Sequence, residues 1–227
     1  MASTITGPPS AVSPAQIKLV VPQEQTAFPV QQPSVKTSPS PPQPQIKHTD
    51  IFEAVKAADE QSVRLLIERD GKDILDKRER DKYNFEFTPF LKAAQKGEVG
   101  VMSVMYASKP DVLQQTETKE GATPFIYAAG NGHVDVLKAL YAKRKNLLTQ
   151  TDKEGDTALH GAVLWGKSAA VFQLLEWGGG ALLDITNNKL ISSQQGLTPW
   201  FWAANRPEIR KIMRPYKPAS GPCWMIM

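Results

Sequence analysis

The chain has 227 residues, 41% of them hydrophobic, which fits one ordinary domain with a core plus a stretch too polar to fold. A single cysteine, Cys223, excludes an internal disulfide and a thiolate zinc site, and His48, His133 and His160 lie too far apart to form a ligand cluster, so no metal or cofactor is expected. The net charge of +4 is small and local: Arg206 to Lys217 holds five cations against Glu208 alone, which suits a solvated helix end or one anionic contact better than nucleic-acid binding.

Residues 1–47 are rich in Pro, Ser, Gln and Thr, as in "SPSPPQPQ", with few large apolar side chains. Such a segment cannot bury enough surface to offset its chain entropy, so a disordered, proline-rich arm is expected. Its P-x-x-P matches are weak, Ser13, Ser38 and Ser40 precede proline, and "IKLVVP" at Ile17–Pro22 is a short apolar patch. A basic, apolar leader and a membrane-length apolar run are both missing, and a reducing, intracellular compartment is expected: cytoplasmic, with nuclear or membrane association as alternatives.

After Asp50 the pattern becomes helical and repeats. Aligned on a small residue at Ala58, Gly97, Gly132 and Gly166, each copy has an alanine four residues earlier, at Ala54, Ala93, Ala128 and Ala162. Eight residues later stand Leu66, Met105, Leu140 and Leu174; nine residues earlier stand Thr49, Thr88, Thr123 and Thr157. A divergent fifth copy has Thr198 and Ala203 in register and Pro207 in the glycine's place, and the threonine spacings are 39, 35, 34 and 41. Threonine followed by proline caps and begins a helix, alanines allow close helix approach, and glycine ends the helix in a conformation other residues resist. Neither helix of a pair is long enough to stand alone, so the pairs must stack.

"TPFIYAAGNGHVDVLKAL" and "TALHGAVLWG" resemble ankyrin repeats, with the Thr-Pro start, paired alanines and Gly-His of the first and the Thr, Leu and His of the second. The resemblance implies an all-α solenoid of about five helix-turn-helix repeats over residues 48–215, near 49–87, 88–120, 121–154, 155–195 and 196–215, with residues 216–227 as a C-terminal tail. The first copy lacks Thr-Pro and resembles a capping repeat; the last ends at Arg214–Pro215 and caps the other end. "GKDILDKRERDKYNFEF" and "GGGALLDITNNKLISSQQG" are longer than usual and are expected to enlarge finger loops.

Nothing in the residue pattern predicts catalysis. His133 and His160 sit at structural positions of the repeat, "GGGALL" lacks the Lys-Ser/Thr of a phosphate loop, and the carboxylates form no acid–base pair. The resemblance implies instead a monomeric, non-catalytic scaffold or adaptor that holds a protein partner in a concave groove. The groove positions before the first alanine are Glu53, Lys92, Tyr127, Gly161 and Trp202; those before the glycine include Lys56, Gln95, Lys96, Gly130, Asn131, Leu164, Trp165, Asn205 and Arg206. The expected protein-binding residues are Lys92, Lys96, Tyr127, Asn131, Leu164, Trp165, Trp202 and Arg206, with Trp165 the clearest anchor, Trp202 equally readable as a seal on the last repeat, and Trp177 expected to line a finger.

The tail "CWMIM" is one residue too long for prenylation. Cys223 remains a candidate for palmitoylation, which with the basic segment defines the alternative of an adaptor held on an anionic membrane surface. The tail folding back on the last repeat is the simplest expectation, and a regulatory subunit of an enzyme is a third, weaker class.

Overall fold

The structure, a computed structural model, describes residues 46–191 and 194–217. The expectations for the N-terminal arm, and for the tail from Pro218 onward including Cys223, lie outside the described residues.

Five helix pairs follow one another: α1 (Ile51–Lys56) and α2 (Glu60–Asp70), α3 (Pro89–Lys96) and α4 (Val99–Ser108), α5 (Pro124–Asn131) and α6 (Val134–Lys143), α7 (Ala158–Leu164) and α8 (Ser168–Gly178), α9 (Pro199–Trp202) and α10 (Pro207–Met213). The odd-numbered helices pack against one another in sequence as an inner layer, and the even-numbered helices do so as an outer layer. The core lies between the layers, where the repeat alanines Ala54, Ala93, Ala128 and Ala162 and the outer-helix residues Leu66, Met105, Leu140 and Leu174 are all buried. Small side chains on the inner helices allow the close approach that the sequence pattern implied.

Thr88, Thr123, Thr157 and Thr198 each cap an inner helix, the hydroxyl accepting from the amide of Leu91, Ile126, His160 and Phe201 respectively. In the first repeat the cap is Asp50, one residue beyond the aligned Thr49: its Oδ1 accepts from the amides of Phe52 at 2.8 Å and Glu53 at 3.2 Å. The inner helices α3 and α5 end at glycines in the left-handed region, Gly97 at φ +90° and Gly132 at φ +84°; Ala58 holds the same kind of position at φ +54°.

Each of the first four outer helices runs into a 3-10 turn, at Lys72–Asp76, Pro110–Gln114, Lys145–Thr149 and Gly179–Leu183, that buries an apolar pair such as Ile74–Leu75 or Leu182–Leu183. This corrects the assignment of "GGGALL" to a finger: it is the turn that ends the outer helix, and Gly178 is required because a Cβ there would meet Leu182 at 2.6 Å. The two long connections form small antiparallel hairpins, β1 (Glu79–Arg80) with β2 (Glu86–Phe87), and β3 (Leu190–Ile191) with β4 (Gln194–Gln195). Asp81 closes the first hairpin by accepting the amides of Tyr83 and Phe85, both at 2.9 Å.

The last repeat departs from the aligned register. Helix α9 has four residues, ending three to four earlier than the other inner helices after the first, so Arg206 occupies the residue that opens the second helix of the pair. The equivalent residues His133 and Lys167 each lie against the helix-ending glycine of the preceding repeat, and Arg206 lies against Gly166 in the same way.

Candidate functional site

The inner helices present one continuous row of side chains, and its character changes along the stack. At the first end Glu53 and Lys56 are exposed, and Lys56 is paired with Glu79 of the first hairpin at 2.5 Å. On α3, Lys96 is exposed and Lys92 is half-buried, its ammonium 4.8 Å from the centre of the Phe87 ring. Burial is the main influence on Lys92 and lowers its pKa, partly countered by Glu79 and Asp81. Among the described residues Lys92 has no carboxylate within ion-pair distance.

Tyr127 on α5 meets the same ring edge-on, with centroids 5.2 Å apart. Burial, and then the carboxylates of Glu117, Glu120, Asp81 and Asp152, push its pKa up, so the phenol stays protonated and is a hydrogen-bond donor. Asn131 is exposed and donates from Nδ2 to the Tyr127 carbonyl at 2.8 Å, tidying the end of α5.

The middle of the row is bare. Gly130 on α5 and Gly161 on α7 face each other; a Cβ on Gly161 would lie 3.8 Å from the Gly130 Cα and from the Ile126 carbonyl oxygen. The lack of side chains lets the two backbones approach, and the contact between α5 and α7 is the most extensive of any helix pair in the stack. Trp165 leans across this platform, with Cδ1 3.3 Å from where a Gly130 Cβ would stand, and remains 66% exposed.

Trp202 is less open. Asn187, buried, donates to Asp156 and accepts the amides of Lys189 and Leu197, and so pins the second long finger against α7. The finger carries Lys189 to Asp156 and Glu154, at 3.1 and 2.7 Å, and over the Trp202 ring at 4.8 Å. Trp202 thus sits under a salt-bridged lysine, closer to the sealing reading.

Arg206 does not join the row. Its guanidinium donates to the Leu164 carbonyl at 2.6 Å, because the shortened α9 turns it back onto the end of α7. Leu164 itself is half-buried at that junction. In the basic segment Arg210 and Lys217 both lie over Trp200, at 5.2 and 4.4 Å, while Lys211, Arg214 and Lys217 are exposed. Trp177, expected in a finger, stacks instead on Tyr141 between the outer helices, 4.2 Å apart and 15° from parallel.

The histidines are structural. His133 Nε2 bonds the Gln95 carbonyl of the preceding repeat at 2.9 Å. His160 donates from Nε2 to the Leu197 carbonyl at 2.9 Å and accepts the Thr157 amide at Nδ1, which requires the neutral ring; burial lowers its pKa accordingly. Among the described residues there is no group of three potential metal ligands, and no helix is long and apolar enough to cross a membrane.

Sequence reasoning missed two features of the face. Tyr83, 63% exposed at the tip of the first hairpin, was hidden in a connection of unknown course, and Phe87 is buried against Lys92 and Tyr127 only because the hairpin folds back beside them. An apolar cleft of about 220 Å³ opens between the outer helices α4 and α6, lined by Phe90, Met102, Tyr106 and Leu140 among others.

Stacked helix pairs, with an inner row of side chains and fingers projecting beside it, define a repeat protein of the helix-turn-helix class. The family model for ankyrin repeats, in three copies, matches residues 51–150 and 104–189, more than half of the sequence, and the chain belongs to the ankyrin-repeat family. No curated protein matches the chain. Repeats of this family are in general protein–protein interaction modules, and the family is typically non-catalytic.

Proposed function

We propose that the chain is a non-catalytic scaffold that holds a protein partner against the inner-helix groove, with the first finger hairpin adding contacts at one edge. The observation that carries this reading is Trp165, 66% exposed on the groove wall above a platform of bare backbone. A large aromatic held open on a rigid element is a typical interface anchor, because its burial by a partner releases much apolar surface at little entropic cost. Lys92, Tyr127, Lys96 and Asn131 extend the contact along α3 and α5, and Tyr83 reaches out from the hairpin tip. The membrane-held alternative has weaker support, since Arg206 and Arg210 are engaged within the fold.

Affinity capture from a lysate of the source cell tests the reading, comparing wild type with Trp165→Ala and with Phe172→Ala, the latter 51% exposed on the outer helix α8. The expected result is a set of proteins lost with Trp165→Ala and retained with Phe172→Ala. Equal recovery with all three baits would overturn it.

A further inference from the structure

We propose that the cleft between α4 and α6 is a docking site separate from the groove: it takes one bulky apolar side chain of a partner protein, with a carboxylate of the same segment set against Lys143. The site lies on the outer layer and does not rest on the groove reading.

The composition of α4 carries the first half. Its sequence, VGVMSVMYAS, has no charged residue, whereas α2 and α6 each carry several and α8 carries a glutamate. A surface helix normally turns charged side chains to water, so an uncharged one leaves an apolar outer face for something to cover. Helices α4 and α6 also touch less than α2 and α4 do, and the gap is edged by small residues, Ser103 and Ala107 on α4 and Ala139 on α6. Its floor is apolar, with Phe90, Met102, Leu113 and Leu140 buried beneath it. The space is about 220 Å³. A cavity of about 150 Å³ accommodates a benzene ring, and sites for drug-sized molecules run from about 300 Å³ upward, so this one suits a single phenylalanine or leucine side chain.

Charge carries the second half. Among the described residues Lys143 is the one charged side chain that lines the cleft, its ammonium 5.1 Å from the centre of the Tyr106 ring at the end where α4 and α6 finish. Arg144 and Lys145 follow it, and among the described residues none of the three has a carboxylate within ion-pair distance. The nearest carboxylates in the chain lie mostly at the other end. Glu60 packs on Gly100 in the first turn of α4, Glu98 precedes that helix, and Asp135 is in the first turn of α6, about 12 Å along the axis from Lys143. In the turn after α4, Lys109 is paired with Asp76 and Asp111 is exposed. The Lys143 end therefore holds three cations against Asp111 alone, beside an apolar wall, and this is complementary to an acidic neighbour of the anchoring side chain.

A displayed library of random twelve-residue peptides, selected on the full chain carrying Trp165→Ala so that the groove anchor is absent, tests this. The expected outcome is enrichment of Phe, Leu, Ile or Met with Asp or Glu within about four residues. Enriched peptides, resynthesised, should bind wild type equally well and lose about tenfold or more in affinity on Ser103→Leu or Ala107→Leu, each of which fills the mouth of the cleft from an exposed position. They should lose about fivefold on Lys143→Glu, or when their own carboxylate is exchanged for an amide, and little on Lys143→Arg. Circular dichroism and urea unfolding establish that each variant is folded. Peptides that need the open cleft but are indifferent to Lys143→Glu and to the amide exchange would overturn the acidic assignment. Peptides indifferent to both filling variants, or a selection yielding none, would overturn the site itself and leave the groove reading, tested with Trp165→Ala, standing.

Discussion

Replacing Gly97 with alanine tests how the repeats lock together. Gly97 ends α3 at φ +90°, where an L side chain is disfavoured by about 1–2 kcal/mol. An added Cβ would also lie 2.7 Å from Nδ1 of His133, in the next repeat. That ring is held by its Nε2 contact to the Gln95 carbonyl at 2.9 Å, so making room costs the bond, worth about 0.5–1.5 kcal/mol. Together these give a destabilisation of about 2–3 kcal/mol, or a urea midpoint lowered by about 1 M for an m-value near 2 kcal/mol per molar. Tryptophan fluorescence during urea unfolding reads the shift. The two contributions separate in a double-mutant cycle: Gly97→Ala in a His133→Ala background should cost about 1 kcal/mol less than in wild type, because only the backbone strain remains. A loss below about 0.5 kcal/mol, or no coupling to His133, would refute both the left-handed cap and the inter-repeat lock.

Three further outcomes follow from the same structure. Ala58 occupies the left-handed position of the first repeat at φ +54°, so Ala58→Gly should raise stability by about 0.5–1 kcal/mol in the same urea assay, although it removes a side chain. His160 is bonded as the neutral ring and its pKa is lowered from 6.5 by burial; unfolding therefore takes up a proton below about pH 6.5, and this contribution is complete above that pH and lost as the pH falls. The stability lost between pH 7 and 5 should be smaller in His160→Gln than in wild type, the opposing slope from Glu120 and Asp152, whose pKa values burial raises, being common to both. Arg206→Met keeps the side-chain stem but leaves the Leu164 carbonyl unpaired, so it should cost about 1 kcal/mol of stability while leaving partner binding unchanged.

The helices were legible because their signals are local. Thr88, Thr123, Thr157 and Thr198 cap within three residues, and a glycine ends a helix by its own dihedral preference, so the repeat pattern carried the helix pairs directly. The misplacements arose where the deciding contact is distant in sequence. Arg206 is fixed by a carbonyl 42 residues away, which no spacing rule exposes, and its register shifted because α9 is shortened. "GGGALL" reads as a loop by composition, yet Leu182 and Leu183 must be buried as the apolar pair of every earlier turn is, and that requirement outweighs the glycines. Within the candidate site, Lys92, Tyr127 and Trp165 followed from repeat position, whereas the Phe87 ring between the first two depended on a hairpin whose course the sequence did not disclose.

The most direct test of the central claim is site-specific photocrosslinking in the source cell, with p-benzoylphenylalanine placed in turn at Asn131, exposed beside the platform, and at Phe172 on the outer layer. If the inner groove holds the partner, a discrete adduct forms from position 131, disappears when Trp165→Ala is added, and does not form from position 172. An adduct from position 172 alone would place the binding surface on the outer helices and contradict the account.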